Sequence, residues 1–219
     1  MFAAHAAFFA LPSTVTPASF DAVGTAVVGN GTASGLNFTA STNADVFVIA
    51  TTDRSGGAAR LTGATYGGSP MTLVARVDHS GNSSYGSTWV YYLAGAGTGS
   101  SKAVAISNSG NNGGWWMTNA VSFMNVGAIS STTATSPNNT STSLSHTASM
   151  AGTMIMYVIG AGNGGTAGAN VTVSGGTNRY NSGTAGNGVC SVINTATAST
   201  TFTANNVGGT GLGSIAICF

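Results

Sequence analysis

The sequence predicts an all-β fold, a jelly-roll-like β-sandwich preceded by a short apolar arm. Three observations carry that prediction. Strand-sized apolar runs recur between clusters of Gly, Ser and Asn, which are turn residues. Good helix formers other than Ala are scarce: the chain has no Glu or Gln, and Lys102 is its single lysine. Hydrophobic residues make up 42% of the chain while charged residues make up 4%. There is material for a core, and the solvated surface must be built from Ser, Thr, Asn and backbone, where ordinary soluble domains use about 25% charged residues. That balance also excludes the disordered class, which needs high charge and low hydrophobicity.

The elements follow in chain order. Met1 to Leu11 (MFAAHAAFFAL) is apolar. It lacks the basic start of a signal peptide, carries His5 and is closed by Pro12. Residues 1–19 are therefore read as a docking arm, with Phe2, Phe8, Phe9 and Leu11 as the side chains that would enter a neighbour. Residues 20–219 are read as one sandwich domain. Ala44–Thr51 (ADVFVIAT) is nearly continuous in apolar residues, as a strand buried on both faces would be. Met71–Val77 alternates, placing Met71, Leu73, Ala75 and Val77 on one face. Thr88–Ala94, Ala103–Ser107 and Ala120–Val126 complete the first set of strands. The second set is Thr153–Gly160 (TMIMYVIG), Asn170–Ser174, Val189–Asn194, Thr200–Ala204 and Ser214–Phe219.

These two sets match. ADVFVIAT answers TMIMYVIG, each preceded by a Ser/Thr-rich strand, Leu36–Ser41 and Ser143–Ser149. Gly67–Gly68 answers Gly175–Gly176, Ala103–Ser107 answers Thr200–Ala204, and Ala120–Phe123 answers Ala216–Phe219. The pattern describes two diverged β halves, about 20–129 and 130–219, joined across the Ser/Thr/Asn stretch Ser130–Ser143. The economical packing is as two halves of a single sandwich whose inner faces share one core.

Chemistry is thin. Net charge is +1, and Arg54, Arg60, Arg76, Arg179 and Lys102 are scattered, which is not the clustered footprint of a nucleic-acid binder. No run approaches the roughly 20 apolar residues of a membrane-spanning helix, so no membrane insertion is expected. Gly160, Gly162 and Gly165 satisfy G-x-G-x-x-G, but no acidic residue follows anywhere downstream, so the dinucleotide reading fails. Asp78-His79-Ser80-Gly81-Asn82 begins like a calcium loop, yet its twelfth position is Trp89 rather than Glu. The bland alternative there is a polar hairpin turn. Paired carboxylates would have to come from Asp21, Asp45, Asp53 and Asp78 alone. Neither catalytic nor metal-ligating residues are assigned, and no cofactor is expected. Cys190 and Cys218 read as buried thiols, with a cross-strand disulfide left open.

One binding feature remains. Trp115-Trp116 follows Asn111-Asn112-Gly113-Gly114. Adjacent strand residues face opposite sides, so one indole belongs to the core and the other faces out. An outward indole beside Asn111 and Asn112 is a candidate carbohydrate platform; the competing reading packs it under a loop or against a partner.

The run Tyr66-Gly67-Gly68-Ser69-Pro70-Met71-Thr72-Leu73-Val74 comes first. It is followed by Thr88–Ala94 (TWVYYLA), Ala103–Ser107 and Ala120–Phe123 (AVSF). This succession resembles a β-sandwich family common in minor tail proteins and other virion proteins of phages infecting actinobacteria, and in some bacterial surface proteins. Residues 20–126 carry most of the resemblance; the second half matches in Gly175–Tyr180 and the final strand. The resemblance implies a non-enzymatic structural part of a virion, a minor tail or capsid decoration protein on the particle surface. Its expected partners are other virion proteins and copies of itself. The alternative expectation is an adhesion module, of a phage tail or of a secreted or bacterial surface protein, that binds host glycan.

Overall fold

Central strands apolar on both faces need a covering layer on each side, and the molecule supplies those layers twice over. The computed structural model describes residues 16–30, 35–53, 61–108, 115–137, 142–162, 171–184, 189–206 and 211–219. The first half holds β1 (Ser19–Val23), β2 (Val27–Asn30), β3 (Leu36–Thr39), β4 (Asp45–Thr52), β5 (Leu61–Tyr66), β6 (Ser69–Pro70), β7 (Thr72–Asp78), β8 (Ser87–Leu93), β9 (Ser101–Asn108) and β10 (Trp115–Met124). The second holds β11 (Ser131–Thr135), β12 (Ser143–Ala148), β13 (Ile155–Gly162), β14 (Val171–Ser174), β15 (Thr177–Thr184), β16 (Val189–Ala196), β17 (Thr200–Asn206) and β18 (Gly211–Cys218). Among the described residues there is no α-helix, only two single 3-10 turns at His79–Gly81 and Ser83–Tyr85.

Four antiparallel sheets result. The first half forms β1-β10-β4-β8-β7, with β2 extending the β1 edge of β10, and β3-β9-β5-β6. The second forms β11-β18-β13-β16-β15 and β12-β17-β14. Once β2 and the two-residue β6 are set aside, eight strands remain in each half and their orders superpose. Of those eight, the first, last, third and sixth lie side by side over the second, seventh and fourth, which is jelly-roll winding. The fifth strand departs from it by pairing with the sixth. Registers agree as well: Phe47 stands opposite Val121, and its counterpart Met156 stands opposite Ile217. Even an irregularity repeats, with β7 bulging between Leu73 and Ala75 and β15 between Asn178 and Tyr180.

The packing corrects the expectation of one sandwich with one core. Each half closes its own sandwich. Leu36, Phe38, Val46, Val48, Trp89 and Val104 fill the first, and Leu144, Ile155, Tyr157, Val192, Phe202 and Leu212 fill the second. A third core lies between them, where Phe47, Ile49, Val90 and Phe123 meet Met156, Val158, Ile193, Ile217 and Phe219. The molecule is thus four layers deep. Every residue of β4 and of β13 is buried, which is why both read as unbroken apolar runs. The outer strands alternate instead, β12 in strict buried–exposed order.

The bulge in β7 overturns one further expectation. Met71 enters the first core while Val74, Ala75 and Val77 pack on the shared one, and Leu73 is left 49% exposed. An inserted residue shifts the phase of everything beyond it.

The two large sheets meet about a pseudo-two-fold axis. β4 packs on β13 at the centre and β7 on β11 at one side. At the other side β1 meets β15, where the Arg179 guanidinium lies 4.3 Å from the Phe20 ring centroid and Tyr180 Oη accepts from Ala26 N at 3.1 Å. This is the geometry of an isologous dimer written into one chain.

Candidate functional site

The chemistry-bearing side chains fall at three places. The first is the start of β10. Trp115 N donates to Asp53 Oδ1 at 2.8 Å, and Asp53 N donates to Trp115 O at 3.0 Å. This clamp ties the end of β4 to the start of β10. The two indoles divide as expected: Trp116 is buried and Trp115 is partly exposed. Trp116 faces Gly29 across the β2–β10 pairing, and a Cβ on Gly29 would stand 2.0 Å from the indole ring. Only glycine lets the backbone approach so closely. Among the described residues the buried Trp116 Nε1 has no hydrogen-bond partner. Asn111 and Asn112 lie outside the described residues, as do Phe2, Phe8, Phe9 and Leu11 of the arm.

The second place is the turn between β7 and β8. Asp78 receives Arg76 in an ion pair and Ser87 Oγ at 2.6 Å. Arg76 also lies over the Trp89 ring, 5.4 Å from its centroid. His79 is fully buried. Its Nδ1 lies 3.2 Å from Tyr85 O and its Nε2 2.8 Å from Thr88 Oγ1, which in turn lies 3.3 Å from Thr51 Oγ1. A carbonyl oxygen only accepts, so Nδ1 carries the proton and Nε2 accepts from Thr88. Burial pushes the imidazole down to about 4, with the Tyr85 carbonyl and the Asp78 carboxylate opposing it. The sequence reading of this stretch as a polar hairpin turn holds for the backbone but not for His79, which points inward.

The third place is His146 on β12. Its Nδ1 lies 2.7 Å from Ser214 Oγ and its Nε2 2.9 Å from Thr133 Oγ1, with the ring edge-on to Tyr157. Burial lowers its pKa too. Ser214 is fully buried, and the histidine joins β12 to β11 and β18.

The remaining carboxylates are also engaged. Asp21 accepts from Ser41 N, Ser41 Oγ and Ser122 Oγ at 2.9, 2.6 and 2.6 Å. Burial works to raise its pKa, but the bonds from Ser122 and Ser41 outweigh it and hold the carboxyl below its ordinary value. Asp45 accepts from Tyr92 Oη and Gly95 N. Cys190 and Cys218 are buried thiols, not bonded to one another, and burial pushes Cys190 up to about 12. Among the described residues, no three His, Cys, Asp or Glu side chains are grouped as metal ligands would be, and no helix is long and apolar enough to cross a membrane.

Sequence reasoning missed the seat of His79. The signal was present in Gly160 and Gly213, glycines inside otherwise apolar strands, which mark a close approach. No family model matches this chain, and neither a curated protein nor a solved structure matches it.

Proposed function

We propose that this chain is a structural, non-enzymatic module of a phage virion, displayed on the tail or capsid surface in contact with other virion proteins and copies of itself. The observation that carries the reading is the use made of the polar side chains. The described carboxylates and both described histidines brace strand to strand, and only 4% of the chain is charged. A double jelly-roll-like body of this kind is a rigid spacer with two outer faces. The virion assignment itself rests on the resemblance around Tyr66–Val74 and the strands after it. The apolar arm, with Phe2, Phe8, Phe9 and Leu11, is the proposed attachment: burying one Phe side chain is worth roughly 1.5–3 kcal/mol.

The test is incorporation. Antibody against the folded body should label purified particles, and a chain lacking residues 1–12 should fold yet be absent from them. Normal incorporation of the truncated chain would remove the arm from the proposal. Absence of the full-length protein from particles would remove the virion role.

A second reading, a carbohydrate-binding adhesion module, has one observation in its favour: Trp115 is partly exposed where β10 begins. Trp116 is not available to it. Glycan-array binding abolished by Trp115→Ala, with the fold intact, would favour that reading.

A further inference from the structure

His79 belongs to the first sandwich by sequence, yet its ring is seated against the second. A Cβ on Gly160 of β13 would come within 1.8 Å of Thr88 Oγ1 and 3.0 Å of both His79 Nε2 and Thr51 Cγ2. A Cβ on Gly213 of β18 would lie 3.1 Å from His79 Cδ2 and 2.9 Å from Val77 Cγ1. These two glycines sit mid-strand, where glycine weakens a sheet, and together they form a socket. The socket is one-sided. Counting along the matched strands, the position equivalent to Thr51 is Gly160 itself, and the position equivalent to His79 is Thr184. The pseudo-dyad therefore carries a single histidine key.

We propose that His79 is an acid-released lock between the two sandwiches. Neutral, it is held by Tyr85 O and Thr88 Oγ1 and fixes how β7 and β8 sit on β13 and β18. Protonated, it must take a full charge into a buried seat whose nearest counter-charge, the Asp78 carboxylate, is already shared with Arg76 and Ser87. The positions that face it from β4, β8, β13 and β18 are Thr51, Thr88, Gly160 and Gly213, none of them titratable. On its own segment the neighbouring carboxylate, Asp78, is already engaged by Arg76 and Ser87, and Tyr85 presents its carbonyl. The cheaper outcome is departure of the ring from the socket, which opens the shared core at that end.

Imidazole NMR and amide hydrogen exchange on the full chain test this together. The His79 ring should titrate well below 6.5. As it does, exchange at amides of Thr51, Thr88, Gly160 and Gly213 should rise, by of order a hundredfold at pH 4, after correction for intrinsic pH dependence. Amides of β9 and β17, remote from the shared core, should stay protected. The step should vanish in His79→Gln and persist in His146→Gln, whose ring lies within the second sandwich. Protonation of His79 without faster exchange at those four amides, or an acid step that survives His79→Gln, would overturn the lock. Should His79→Gln fail to fold, the wild-type titration with the His146→Gln control decides the question.

Discussion

The two halves share a winding, a register and a bulge, yet they solve their polar problems with different chemistry. The first half holds all four aspartates and four of the five basic residues; the second has Arg179 alone. Where Asp45 caps β4 by accepting from Tyr92 and Gly95, the matching position is Met154, whose backbone pairs with that of Phe219. The second half braces itself with neutral groups, as in Asn194, which donates to Gly175 O and accepts from Asn178. A fold set by strand order and apolar faces therefore tolerates either chemistry. Both halves also turn an apolar face to each other.

The largest effect expected from that comparison concerns Phe47. Its ring stacks on Phe219 at 5.6 Å and meets Tyr92 and Phe123 at 4.8 and 5.8 Å. Phe47→Ala should cost about 3–5 kcal/mol. Because the lost contact with Phe219 joins the halves, denaturation followed by probes in each half should change from one shared transition to two. Phe202→Ala, which removes the partner stacked 4.0 Å from Tyr157, should cost a similar amount but weaken the second half first. Equal loss in both halves from Phe202→Ala would show that the sandwiches are not distinguishable units.

Much of this division is written in the residues, and some of it is not. Strand-forming runs were legible, since β4 and β13 lack the polar alternation of half-exposed strands. The match between Ala120–Phe123 and Ala216–Phe219 also held, because Val121 and Ile217 occupy equivalent register positions. The match of Ala103–Ser107 to Thr200–Ala204 slipped by three residues. Leu36 pairs with Val104 and its counterpart Leu144 pairs with Ala204. Runs of Ala, Ser and Thr offer no large side chain to fix the phase. The four layers were illegible for a different reason. Periodicity tells that both faces of a strand are buried, but not which other face covers each. At the candidate sites, the split between Trp115 and Trp116 followed from strand alternation. The burial of His79 did not, because it depends on glycines more than 80 residues away in the chain.

A smaller effect separates the halves by pH. Asp21 ties β1 to the turn before β4 and to β10 through Ser41 and Ser122. Its folded pKa lies below the ordinary 3.8. A depressed carboxyl contributes stability that is fully present above its unfolded value and is lost as pH falls through the folded one. Below about pH 4 β1 should therefore loosen while β11, its counterpart in the aspartate-free second half, does not. Asp21→Asn should cost about 1 kcal/mol at neutral pH, a modest value for a carboxylate still partly in water. It should also flatten the dependence below pH 4. Amide exchange at β1 against β11 reads both outcomes.

The smallest effect concerns the outer face of the second half. On the outward face of β12 and β17, exposed Ser143, Ser145 and Thr147 stand opposite exposed Asn205, half-buried Thr203 and exposed Thr201. Thr147 Oγ1 and Thr201 Oγ1 lie 2.8 Å apart. Cross-strand pairs of this type contribute roughly 0.2–1 kcal/mol, and the Thr201 hydroxyl left behind by Thr147→Ala recovers a water partner. Thr147→Ala should thus change stability by no more than about 0.5 kcal/mol. The same change at a shared-core position would cost several times more, so the contrast between Thr147→Ala and Phe47→Ala measures how unevenly stability is spread through the four layers. A loss above 2 kcal/mol from Thr147→Ala would mean that the outer sheet is buried by a further surface, and that a partner or a second copy covers β12 in solution.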